Sequence, residues 1–347
     1  MKAKSYITDC EGPLSLNDNA YELADHFIED GGELFKTLSL YDDYLVDVVK
    51  KEDYKAGNTL KLILPFFLNE GITNDDMVEF SRNNIFILKD SEDLINHIKN
   101  TMNHYIVSTS YGQYIEALSQ YMDFPFENTF FTDVDMDMTI TNNEKESINN
   151  FKKQILENPE NYELFDKIFF EEIPKMGFYN SIKDIEVVGG EGKKIAIERI
   201  IEDENIDQNN IFYIGDSITD VEPLEFAKDH GGISVSFNGN KYSLKAAEIA
   251  IVSPSAAASL LIADLYNRND KDAVLKFIGE YNQSENIEEL LNRYNIDDSV
   301  KSKFLNTFSN KTYPLIKIIT DDNFDEILDI SSEMRNTIRG QNIGELG

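Results

Sequence analysis

Two short apolar runs each lead into carboxylates beside glycine. Tyr6-Ile7-Thr8 is followed by Asp9, Glu11 and Gly12, and Ile211-Phe212-Tyr213-Ile214 by Gly215, Asp216 and Asp220. Runs of β-branched and aromatic residues stopped by Gly or Asp read as buried strands whose carboxyl ends meet loops. Ligands of open α/β sheets bind at that edge. Acids are rarely buried unless paired or coordinating a metal, so acids at two distant strand tips predict a shared cation. Two more polar groups stand at predicted element ends. Ser108 closes the strand in Ile106-Val107-Ser108-Thr109-Ser110, and Lys193 opens a helix after Gly189-Gly190-Glu191-Gly192.

In this order the residues resemble the four-motif signature of haloacid dehalogenase-like (HAD) phosphohydrolases. That signature is Asp-x-Asp-x-Thr, a strand-end Ser or Thr, a Lys, and Gly-Asp-x-x-x-Asp. Asp9-Cys10-Glu11-Gly12-Pro13 matches the first motif in part, and Ser108, Lys193 and Gly215-Asp216 with Asp220 match the others. Lys193-Lys194-Ile195-Ala196-Ile197 and Gly232-Ile233-Ser234-Val235-Ser236-Phe237-Asn238 look like the phosphoserine phosphatase branch. More faintly, Asp-Cys-Glu-Gly-Pro and the extra helical segments resemble archaeal HAD-like proteins known as subunit R of energy-converting hydrogenase A.

The resemblance implies Asp9 as a nucleophile that forms an aspartyl-phosphate, dividing a hard hydrolysis into two easier steps. It implies Mg²⁺ shared by Asp9, the Glu11 carbonyl and Asp216, with Asp220 acting through water, against the repulsion between carboxylate and phosphate. Lys193 would add positive charge, while Ser108 and loop N–H groups would hold the phosphoryl oxygens. Glu11 would protonate the leaving oxygen and later activate water. Thr109, Ser110 and Thr219 are further substrate candidates. Asp18 falls where the phosphoserine phosphatase branch greets a substrate amine, and it equally suits a helix N-cap. Arg82 either clamps a substrate carboxylate or is an ordinary surface arginine.

The first motif departs from the family. Glu11 replaces the second Asp, moving its carboxyl by about an ångström, a displacement that can cost about a hundredfold in rate. Pro13 removes a hydroxyl and an N–H where the family has Thr. A catalytically weak or inactive accessory subunit of a hydrogenase-associated complex is therefore an alternative to the phosphohydrolase, as is a phosphotransferase. Gly189 to Lys194 fails as a phosphate loop, because Val187 stands where the first Gly belongs and Lys194 where a Ser or Thr should hold the metal. Cys10 reads as a small buried apolar residue. His26, His97, His104 and His230 form no metal-ligand spacing.

The elements that must position these groups alternate. Strands are predicted near 4–10, 103–109, 129–133, 184–188, 210–215, 232–237 and 248–252, with helices at 91–101, 111–123, 193–204, 221–229 and 255–267. Alternation of this kind predicts an α/β fold, here an HAD-like Rossmannoid parallel sheet flanked by helices. The predicted core comprises 1–16, 85–140 and 181–268. Residues 17–84 form a helical cap insertion, 141–180 a second insertion and 269–347 a helical extension; segments inserted past strand tips hang over the ligand edge.

Asp and Glu total 64 against 32 Lys and Arg, a formal charge of -32, which repels nucleic acid and anionic membrane surfaces. A small phosphorylated metabolite is the expected partner, with a protein complex or homo-oligomer left open. One cysteine gives no disulfide, and no apolar stretch is long enough to span a membrane, so a cytoplasmic protein is expected.

Overall fold

The structure, a computed structural model, describes residues 4–308, 312–340 and 344. A seven-stranded sheet organises it, from β1 (Ser5–Thr8), β2 (Asn103–Tyr111), β3 (Thr129–Thr132), β4 (Ile211–Gly215), β5 (Ile233–Phe237), β6 (Ile249–Val252) and β7 (Leu315–Ile318). The spatial order is β3-β2-β1-β4-β5-β6-β7, parallel throughout except for β7, which runs antiparallel to β6. Every residue of β1, β4, β5 and β6 is buried. That explains why these segments read as continuous apolar runs instead of alternating ones: helices cover both faces.

One face carries Tyr6, Ile106, Phe212, Val235 and Ile251 against the helices Ser91–Thr101, Gly112–Tyr121 and Ala257–Arg268. The same cluster continues through Val274, Phe277 and Phe304, so much of the segment after 269 belongs to the main core. The other face packs Ile7, Val107 and Tyr213 on Ile197, Ile200 and Leu224. A separate cluster joins both helical insertions: Leu34, Leu38, Phe66 and Phe67 meet Ile148, Ile155, Phe165 and Phe169. Tyr41 fastens that contact, edge-on to Phe165 at 5.2 Å with its hydroxyl donating to Asp166.

The predicted strand at 184–188 is absent. Ile185 packs against the core of the helical layer, and the Val188 N–H donates to Thr132 Oγ1 at 3.1 Å in place of a ladder bond. Conversely, the segment expected to be wholly helical contains β7, whose four residues pair with β6 at the sheet edge. β2 runs to Tyr111, past the expected end at 109.

Register brings the two acidic tips together. Thr8 lies beside Ile106 and Ile214, and the Asp9 N–H extends the ladder to the Ile214 carbonyl at 2.9 Å. Asp9 and Asp216 therefore leave adjacent strands at the same edge. Gly12, at φ +97°, returns the chain against them; a Cβ there would stand 2.4 Å from Asp216 Oδ2, so only glycine fits.

Candidate active site

Asp9, Asp216 and Asp220 are buried, and one carboxylate oxygen of each lies within 4.8 Å of the others. Lys193, fully buried near the start of the Glu191–Glu204 helix, joins two of them, with Nζ 2.9 Å from Asp9 and 2.7 Å from Asp220. Burial draws the lysine's pKa down, but the two carboxylates outweigh it and leave it raised. Asp9 also accepts the Cys10 N–H at 2.7 Å. Burial pushes Asp9 up to about 7 against the pull of Lys193, and Asp220 and Asp216 add to the rise.

Asp220 has both oxygens engaged by the protein. Oδ1 accepts from Lys193 and, at 2.7 Å, from the Tyr213 hydroxyl, while Oδ2 accepts the N–H groups of Asp216 and Ser217 at 2.9 and 3.0 Å. Burial raises its pKa, but Lys193 and these donors overcome that and hold it below the ordinary value. Its role in this geometry is to fix Lys193 and the turn after β4.

Asp9 and Asp216 open on a cavity of about 100 Å³. Glu11 and Asp18 enter it together at the amino end of the Asn19–Phe27 helix, where Glu11 accepts the Asn19 N–H at 2.7 Å and Asp18 caps Tyr21 at 3.0 Å. Burial, then Asp18, lifts the Glu11 carboxyl well above the usual range, opposed by the Asn19 N–H and Arg339. Asp42 and Asp43, at the end of the Gly31–Asp43 helix, close another side. Asp42 accepts from the Gly57 and Thr59 N–H groups and the Thr59 hydroxyl, at 3.0 to 3.2 Å.

Thr109, Ser110 and Thr219 also line the cavity, and the buried Thr109 hydroxyl has no hydrogen-bond partner among the described residues. Ser108 is not among the lining residues; its hydroxyl bonds to Ser110, because β2 carries on past it. Arg82 is exposed and donates to Gln120 at 3.3 Å, outside the residues that line the cavity, the position of the surface arginine that the sequence offered beside a substrate clamp. Lys194, the neighbour of Lys193, pairs with the surface acids Glu191 and Glu198.

Sequence reasoning missed two lining residues of the opposite charge. Arg335 and Arg339, on the Phe324–Arg339 helix, both donate to Asp216 Oδ2, Arg339 at 3.1 Å. The one trace in the sequence is their i, i+4 spacing, which puts both on one face of a helix. Tyr213 was hidden inside an apolar run and Asp42 inside a charged helix.

The donor set fits a divalent cation. Asp9 and Asp216 offer hard carboxylate oxygens at a buried edge, and six acids line the cavity against two arginines. Asp220, already saturated, does not fit as a direct ligand.

A model of the haloacid dehalogenase-like hydrolases matches residues 55–256, more than half of the 347-residue chain. The chain belongs to the haloacid dehalogenase-like hydrolase family. Its fold is similar over its full length to a solved structure of a gene product from Archaeoglobus fulgidus, with 27% identity, 99% of that chain covered and a TM-score of 0.82. A substrate-bound phosphoserine phosphatase complex shares the HAD fold more loosely, at 14% identity and a TM-score of 0.50 over 75% of this chain and 98% of that one. No curated protein matches. No helix among the described residues is long and apolar enough to cross a membrane.

Proposed function

We propose that this protein is a Mg²⁺-dependent phosphohydrolase that acts on a small phosphorylated metabolite in the cytoplasm, with Asp9 as nucleophile. The observation that carries the reading is the contact of Asp9 with the buried Lys193, beside Asp216 and facing a cavity with room for a small ligand. The helical layer built from both insertions serves as the cap over this edge.

In the first step an Asp9 oxygen attacks phosphorus, and the bond from phosphorus to the ester oxygen breaks. The leaving oxygen takes a proton from Glu11, whose carboxyl is kept protonated by burial and by Asp18. In the second step the Glu11 carboxylate removes a proton from water as that water attacks the aspartyl-phosphate. The bond between Asp9 and phosphorus breaks, releasing inorganic phosphate and restoring both carboxyls to their starting states.

Lys193 favours the ionised form of Asp9 and holds it in place, and Asp220, itself bonded by Tyr213, holds Lys193. The unpartnered Thr109 hydroxyl and that of Ser110, both lining the cavity, are donors for the phosphoryl oxygens. Mg²⁺ held by Asp9, the Glu11 carbonyl and Asp216 would supply the positive charge that offsets repulsion between carboxylate and phosphate.

Turnover of p-nitrophenyl phosphate with Mg²⁺ tests the reading. Asp9→Asn is expected to lower the rate by about a thousandfold or more, as loss of a nucleophile does elsewhere. Equal rates for the two proteins would refute it.

A further inference from the structure

The Phe324–Arg339 helix is held to the rest of the molecule in an unusual way. Its apolar face buries one residue fully, Ile327, in a small cluster with Leu244 and Ala250, while Phe324 and Leu328 pack half-buried on that cluster and Ile338 on the main core. Its deepest contacts are polar. The Ser331 hydroxyl donates to the Gly239 carbonyl at 2.7 Å, and Arg339 donates to the carbonyls of Leu16 and Asn17 at 3.2 and 2.5 Å. Both arginines then end on Asp216: Arg335 reaches the carbonyl at 3.2 Å and the carboxylate, and Arg339 reaches the same carboxylate oxygen. Arg335 is only 4% exposed, so its charge is committed to this site.

These guanidinium groups are the cationic side chains among the residues lining the cavity, where Asp9, Glu11, Asp18, Asp42, Asp43 and Asp216 supply six acids. They perform at Asp216 the charge compensation that a divalent cation would perform. A cation on that carboxylate and two guanidiniums on it repel one another at close range in a buried site. We propose that the helix is a resident counter-cation: Arg335 and Arg339 hold Asp216 when no metal is there, and cation binding opposes helix docking. The proposal rests on the reading of Asp216 as a cation ligand. By linkage the effect is reciprocal, since whatever loosens the helix tightens cation binding by the same factor. A helix with a single fully buried apolar residue and its two cavity-facing cations on one carboxylate suits such a device, because a ligand shifts an equilibrium by its differential affinity for the two states.

Two measurements on the full chain test this without using turnover. Mn²⁺ binding is followed by the electron paramagnetic resonance of the free ion, and hydrogen exchange of residues 324–339 is followed with and without Mg²⁺. The double variant Arg335→Ala/Arg339→Ala is expected to bind Mn²⁺ about tenfold or more tightly than the wild type, within the usual range of coupling. Lys317→Ala, which removes a cation paired with Glu326 on the outer side of the same helix, is expected to leave the affinity unchanged. Mg²⁺ is expected to speed exchange of the helix in the wild type and not in Asp216→Asn.

Equal or weaker Mn²⁺ binding by the double variant, an equal gain in Lys317→Ala, or exchange that is unchanged or slowed by Mg²⁺ would overturn the proposal. Absence of Mn²⁺ binding in every protein would overturn the cation reading of Asp216 along with it. A phosphatase-inactive protein still gives either answer, so failure here is distinct from failure of the hydrolase reading.

Discussion

Two groups of charges face each other across the cavity, and they are built in opposite ways. On the sheet side, Lys193 in the first turn of the Glu191–Glu204 helix sits between Asp9 at the end of β1 and Asp220 in the turn after β4. Each oxygen of Asp220 has a protein donor, and the lysine is wholly enclosed. On the helix side, Glu11, Asp18, Asp42, Asp43, Arg335 and Arg339 arrive on loops and helices, acids in excess, with burial working against their ionisation. The sheet side is a closed, fully partnered ion-pair network that fixes Asp9, the proposed nucleophile. The helix side is an open one, whose balance needs something from outside.

That contrast is broken most severely by removing the cation of the closed group. Lys193→Met leaves Asp9 and Asp220 buried without their shared partner, and loss of one member of a buried ion pair costs about 3–5 kcal/mol. Urea unfolding of metal-free protein should show that loss. A variant as stable as the wild type would mean that the triad is not the closed network described.

The open group predicts a smaller effect with a definite sign in pH. Burial raises Asp42 to about 6 and Asp43 to about 7, the latter aided by Asp42. A carboxyl whose folded pKa lies above its unfolded value of about 4 favours the folded state below that value, and the advantage is lost as pH rises through the folded pKa. Metal-free protein should therefore lose thermal stability between about pH 4 and 7 through these groups, and Mg²⁺ should recover part of it near pH 7 by offsetting the exposed excess of negative charge. Thermal melts at several pH values, with and without Mg²⁺, check this. Stability that rises steadily across that window without metal would contradict it.

The same contrast explains what could be read from the chain alone. Continuous apolar runs ending in Gly or Asp mark a doubly covered parallel sheet, and the acids at their tips follow directly from that pattern. Asp9, Lys193, Asp216 and Asp220 accordingly stand together in the fold. The strand expected at 184–188 fails because its apolar residues split between two layers, Ile185 on the helical layer and Val188 on the sheet, and β7 escapes notice because four residues at a sheet edge are too few to outweigh helical surroundings. Ser108 looked like a strand end because two more hydroxyl residues follow it, whereas pairing carries β2 on to Tyr111. Arg335 and Arg339 lie far along the chain on an ordinary amphipathic helix, and nothing local says that this helix returns to Asp216. Position on a strand is a local property; the target of a helix face is set by topology.

The central claim is that Asp9 attacks phosphorus, and it is tested most directly by acid-quenching the protein during turnover with Mg²⁺ and mapping phosphorylation by mass spectrometry. A phosphoryl group on the peptide containing Asp9, absent from Asp9→Asn, is the predicted result. Turnover of a phosphomonoester by Asp9→Asn at the wild-type rate, with no phosphoryl group on that peptide in either protein, would contradict it.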